Sequence, residues 1–148
     1  MNTFIARTAA VASAAALGVA GAAAPAAAAA QPQLSYIATI RVDGGGGSQY
    51  FKARLIQPDD VQAATDNLNG SSIKHINGRV VRTGPDINTG YTWHLDPYDV
   101  AFVDISAEVC DGLPSYVAGD PASYTRYCPW HTKVTDLLAT YSPYKPKG

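Results

Sequence analysis

Cys110 and Cys128 are the only cysteines in this chain of 148 residues, and the segment at its start decides what they can become. Met1 to Arg7 carries one positive charge, Thr8 to Ala24 is an uncharged run dominated by Ala, Val, Leu and Gly, and Ala28-Ala29-Ala30 offers the small-x-small pattern that a signal peptidase reads. The first thirty residues are therefore expected to be a secretory signal peptide cleaved before Gln31. Gly18, Gly21 and Pro25 inside the run, with no second apolar span behind it, disfavour a permanent membrane helix, and a lone Arg7 fits the general secretion route rather than the twin-Arg one. In an exported chain an even cysteine count reads as one disulfide. Closing that loop should stabilise the fold by about 3 kcal/mol on the chain-entropy model. The rival is a nucleophilic Cys-His pair using His94 or His131, and export favours oxidation over it.

Cleavage leaves residues 31–148, a length for one domain. A chain of that size buries a core and benefits from a staple. The core is expected to run from residue 34 to 138, with Tyr141 to Gly148, two prolines and two lysines among them, as a frayed tail. Beyond Arg7, ten Lys and Arg face twelve Asp and Glu, and no basic patch or charge run stands out. That balance argues against nucleic acid and anionic membranes as partners.

Leu34 to Val42 alternates as a strand, with Tyr36, Ala38, Ile40 and Val42 on one face. Asp43 and the glycines to Gly47 form a turn, and Tyr50 to Ile56 resumes the alternation, giving a hairpin. The glycine run is no phosphate cradle, because a strand rather than a helix follows it. Pro58 opens a helix in which Asp59 and Asp60 complement the positive end of the dipole, Val61, Ala64 and Leu68 repeat at helical spacing, and Gly70 follows the end. Asn69-Gly70-Ser71 is formally a glycosylation sequon. Ser72 to Arg82 reads as a third strand kinked near Asn77-Gly78.

Tyr91 to Asp111 gathers one tryptophan, one histidine, one cysteine and the only glutamate. Tyr91 to Leu95 and Val100 to Ala107 are expected to be the two arms of a central hairpin turning at Asp96-Pro97-Tyr98-Asp99. Beyond it, Asp111 is expected to cap a short helix through Tyr116 or Val117. Tyr124 to Trp130 returns Cys128 to the core, and Val134 to Leu138 is one last apolar segment, strand or helical turn. These elements predict an α+β domain: an antiparallel sheet of about five strands, one main helix, a short second helix and one disulfide.

The chemistry-bearing residues are His94, Asp96, Glu108, Asp111 and His131. His94 and Asp96 share a face if they lie in a strand, and with Glu108 and His131 they could assemble an oxygen and imidazole metal site. Their spacing matches no ligand motif, and isolated His and Asp in a hairpin more often serve the turn or the backbone. Glu108, flanked by Ala107 and Val109, is expected to be partly buried, where it would need donors and could act as a general acid or base. The nucleophile elbow, the zinc helix and the EF-hand loop are all missing from the sequence. Nine tyrosines and two tryptophans suggest a binding surface, although Trp93 and Trp130 serve equally well as packing around the disulfide.

Three motifs in order, Tyr91-Thr-Trp-His-Leu-Asp-Pro97, Ala107-Glu-Val-Cys-Asp111 and Tyr127-Cys-Pro-Trp130, resemble the amino-terminal domain family named after a BP-seventy-four protein, whose bacterial secreted members often carry the label calmodulin-binding protein. The resemblance spans roughly Ile37 to Leu138 and includes the Phe51 to Pro58 entry to the helix. It implies a small, exported, disulfide-linked domain that binds something, with Trp93, His94, Asp96, Pro97, Glu108, Cys110, Asp111, Cys128, Pro129 and Trp130 on the matching positions. Between Asp111 and Pro121 the chain departs from the pattern: Gly112, Pro114 and Gly119 suit a helix poorly. No basic amphipathic helix supports calmodulin itself as a partner.

The expected function is thus a secreted binding domain without a cofactor, a monomer whose partner is an extracellular protein or ligand. The alternatives are a metal-dependent or hydrolytic enzyme using His94, Asp96 and Glu108, or a protease inhibitor presenting Gly84 to Gly90 or Pro114 to Pro121.

Overall fold

A computed structural model describes residues 32–83, 87–142 and 144. The expected signal peptide, Gly84 to Asp86 of the candidate inhibitory loop and most of the expected tail lie outside the described residues.

The glycine turn is tight enough to let both flanking strands run to it: β1 (Gln33–Gly44) and β2 (Gly47–Leu55) pair antiparallel from Tyr36↔Leu55 to Gly44↔Gly47. Their alternation sends Ala38, Ile40, Val42, Phe51, Ala53 and Leu55 inward. Helix α1 (Pro58–Leu68) begins on proline with Asp59 and Asp60 in its first turn. It ends in a Schellman motif: the Gly70 N–H donates to the Asn67 carbonyl (3.1 Å) and the Ser71 N–H to that of Asp66 (2.8 Å). Gly70 sits at φ +79°, where a side chain would be strained.

Strand β3 (His75–Val81) pairs with β4 (His94–Val103) on one side and with the two-residue β5 (Arg126–Tyr127) on the other. A 3-10 turn (Glu108–Cys110) and the six-residue α2 (Pro114–Gly119) lie between β4 and β5. Strand β6 (Thr132–Ser142) then crosses back to pair with β1.

The α+β expectation of one sheet of about five strands is corrected here. The described residues are mostly β, in two three-stranded antiparallel sheets ordered β2-β1-β6 and β4-β3-β5, with one substantial helix. The expected central hairpin is a single strand. Its turn chemistry is present, since Asp96 Oδ1 accepts the Tyr98 N–H (2.9 Å). The chain nevertheless continues along the same partner: Val80 pairs with Leu95 and Gly78 with Val100, so Asp96 to Asp99 form an excursion of β4 from the β3 ladder. Pro97 is tolerated because β4 is an edge strand. A Cβ on Gly78 would meet Leu95 Cδ1 at 3.2 Å and the Asp99 carbonyl at 3.3 Å, so the excursion needs glycine opposite it. The helix expected from Asp111 starts instead at Pro114 with Leu113 as its N-cap. Strand β6 continues through Tyr141 and Ser142, where the sequence suggests a tail.

Both inner faces feed one core, centred on a triangle of rings: Phe51, Trp93 and Tyr127 stand 5.3 to 5.5 Å apart, centroid to centroid. Two buried asparagines tie the layers. Asn67 of α1 donates to the Lys74 carbonyl (2.8 Å) and accepts the Val134 N–H (2.8 Å), beside the irregularity that shifts the β1–β6 register. Asn88 accepts the Lys52 N–H (3.0 Å) from β2 and donates to the Trp93 carbonyl (2.8 Å) ahead of β4.

Candidate binding surface

The disulfide between Cys110 and Cys128 spans 5.1 Å between α-carbons and lies in a zipper of hydrogen bonds. The Cys128 N–H donates to the Cys110 carbonyl (2.8 Å), and the Tyr124 and Tyr127 hydroxyls donate to the carbonyls of Asp111 (2.9 Å) and Gly112 (2.8 Å). Burial first, and the Asp111 carboxylate second, push the Tyr127 phenol far up, so it remains a donor at any physiological pH. Asp111 Oδ1 accepts the Trp130 N–H (2.9 Å), which fixes the main chain at Trp130.

The predicted polar residues lie in different settings. His94 is buried on β4 and lines a cavity with Arg82, Asn88 and Tyr91 that neither Asp96 nor Glu108 lines. Asp96, also buried, pairs with Arg79. Glu108 is exposed on the 3-10 turn rather than partly buried, because β4 ends at Val103 and the chain has left the sheet. Among the described residues no three His, Cys, Asp or Glu side chains stand close enough together to hold a metal ion. Trp93 lies in the core, whereas Trp130 is 41% exposed and His131 beside it is exposed.

Trp130 and Ile73 belong to two adjoining grooves. One, of about 360 Å³, is lined by Ile73, His75, Asp104, Ile105, Ser106 and Trp130. The other, of about 450 Å³, continues past Ile73 and Trp130 to Arg41, Asp43, His131 and Lys133. Ile73 is 93% and Ile105 87% exposed, an unusual concentration of aliphatic surface around a half-open indole. In the floor, His75 Nε2 shares a hydrogen bond with Ser106 Oγ. Burial holds the His75 imidazole below its usual range, against the opposing pull of the Asp111 and Asp104 carboxylates. On the polar flank the Ser48 hydroxyl, then the Arg41 guanidinium, keep the Asp43 carboxyl below the usual carboxylate range.

Sequence reasoning missed Ile73, His75, Ile105 and both bridging asparagines. Ile73 and Ile105 each stand next to polar residues just outside a strand, Ser72 and Lys74 for one, Asp104 and Ser106 for the other. Read as the ends of strands, they pass for packing residues.

These features define a small, mostly β domain closed by one disulfide. The family model of the BP-seventy-four N-terminal domain matches residues 36–141, from β1 into β6, and the chain belongs to that family. No curated protein and no solved structure matches it.

Proposed function

We propose that the chain is a secreted binding domain that docks an extended segment of a partner protein across the Ile73–Trp130 ridge. The observation that carries this reading is the convergence of Ile73, Ile105 and Trp130, all solvent-exposed, on two adjoining grooves. A tryptophan flanked by aliphatics and rimmed by polar groups is the composition of an interface hot spot. Arg41 is paired with Asp43 (3.0 Å) and Lys74 with Asp104 (3.4 Å), which leaves Lys133 as the unpaired charge on the rim among the described residues. The occupant is therefore a segment with an apolar anchor followed by a carboxylate. The zipper around Cys110 and Cys128 supports the same reading, because it fixes the main chain at Trp130 before any partner arrives.

Affinity capture from culture medium by the domain without its first thirty residues, compared with its Trp130→Ala and Ile73→Ser variants, tests this. Either change should weaken capture of the partner by about tenfold or more, a loss of at least about 1.4 kcal/mol. Equal capture by all three proteins, each with an intact near-ultraviolet circular dichroism spectrum, removes the ridge from the account.

A further inference from the structure

On another part of the molecule, Arg82, the residue after β3, and the segment from Asn88 to His94 line a cavity of about 240 Å³. We propose that this cavity binds a carboxylate, held by Arg82 and the hydroxyl and indole donors of the Thr89–Trp93 segment.

Its walls are rich in donors, and no Asp or Glu lines it among the described residues. Arg82 Nη2 donates to the carbonyls of Val117 (3.0 Å) and Tyr124 (3.3 Å). Those two bonds hold the guanidinium in place, the Asp120 carboxylate lies within reach of its charge, and its Nε and Nη1 donate to no described residue. A guanidinium fixed by one nitrogen with its other edge unpaired is prearranged for the two oxygens of a carboxylate. Trp93 supplies an independent observation. Its indole N–H is buried and has no acceptor among the described residues, and the residue lines this cavity. Buried donors are almost always paired, so an orphan beside a cavity marks the place of an acceptor.

Thr89 and Thr92 add hydroxyls, and burial raises the Tyr91 phenol above its usual range, which keeps it a donor. The Asn88 amide is committed at both ends to Lys52 and Trp93 and serves as the wall. One fixed cation suits a monoanion. The volume lies below the roughly 300–1,000 Å³ of sites for drug-sized ligands, which selects a short acid or the carboxylate terminus of a peptide. The Tyr91 ring, 5.5 Å from that of Trp93, offers an apolar side to the carbon chain.

The chain has two tryptophans, so Trp130→Phe leaves Trp93 as the single fluorophore. Titration of that variant with acetate and with N-acetylalanine should change Trp93 emission saturably, whereas acetamide and N-acetylalanine amide should not. Tighter binding of N-acetylalanine identifies a peptide terminus as the source, and equal affinities identify a free acid. Arg82→Gln should weaken binding by about ten- to a hundredfold and Thr92→Val by roughly two- to tenfold. No saturable change with either acid, an equal response to the amides, or undiminished affinity in a folded Arg82→Gln protein overturns the site. Should Arg82→Gln lose its near-ultraviolet spectrum, Thr92→Val and Tyr91→Phe decide, and unchanged affinity in both overturns it as well. The ridge at Trp130 plays no part in this titration, so the two readings fail separately.

Discussion

Asn67 uses both ends of one amide on main-chain groups of β6 and of the segment entering β3. Replaced by leucine, it would strand the Val134 N–H and the Lys74 carbonyl in a buried setting. At about 1–3 kcal/mol for each orphaned group, Asn67→Leu should lose roughly 2–6 kcal/mol in urea unfolding at an unchanged m-value. A loss below about 1 kcal/mol would show that water reaches both groups. Asp60 makes a second residue-scale case. Burial, then the neighbouring Asp59 charge, raise its carboxyl from 3.8 to about 6. Between those values the folded state binds the proton that the unfolded state has released, so this group favours folding at low pH and its contribution is lost as pH rises to about 6. Asp60→Asn should therefore flatten the decline of stability across that window, and a slope identical to the parent's would contradict the assignment. Neither role is visible in the sequence, where Asp60 reads as a favourable first-turn acid and Asn67 as one more helix residue.

At the scale of elements, the disulfide does not act alone. It closes a loop whose two sides are already joined by the Cys128, Tyr124, Tyr127 and Trp130 hydrogen bonds. Those bonds keep the native arrangement when the sulfurs are gone, so the effect of removal falls mainly on the unfolded chain. Replacing both cysteines by serine should lower stability by about 3 kcal/mol and the melting temperature by roughly 10 °C, with the near-ultraviolet spectrum retained below the transition. An unchanged melting temperature in oxidising buffer would exclude the bond. Elements with strong local signals were legible: the first hairpin from its alternation and glycines, α1 from its proline, acids and glycine stop, and the cysteine pair from its count. The excursion in β4 was legible only as chemistry. Asp96-Pro97-Tyr98-Asp99 turns as its residues demand, but whether a chain reverses after a turn depends on the partner strand, and nothing in those four residues specifies β3. Glu108 followed from the same error, since a hairpin arm would have carried it into the sheet.

At the scale of the molecule, the unpredicted step is the return of β6 to β1, a pairing across about a hundred residues that local pattern cannot encode. It divides the strands between two sheets and leaves Trp130 at the crossing. It also makes the last described residues structural. Gln33 to Tyr36 pair with Ser142 to Ala139, the buried Ser35 hydroxyl donates to the Thr140 carbonyl (3.5 Å) and accepts from Arg54 Nη1 (3.0 Å), and Tyr144 packs edge-on to Tyr98 (5.7 Å) with Arg54 6.0 Å from its ring. Tyr98 lies on β4 and Arg54 on β2, so Tyr144 connects the two sheets. A chain ending at Ser142 should lose the Tyr144 contacts, about 0.5–1.5 kcal/mol for an aromatic pair. A chain ending at Leu138 should lose about 1 kcal/mol more for each ladder hydrogen bond removed, and those amides of Gln33 to Tyr36 that donate to β6 should lose their protection from hydrogen exchange. If the chain ending at Leu138 matched the full protein in both urea midpoint and exchange, the pairing of β6 beyond Leu138 would contribute nothing to the fold. The β1–β6 register predicts instead a stepwise loss, small at Ser142 and large at Leu138.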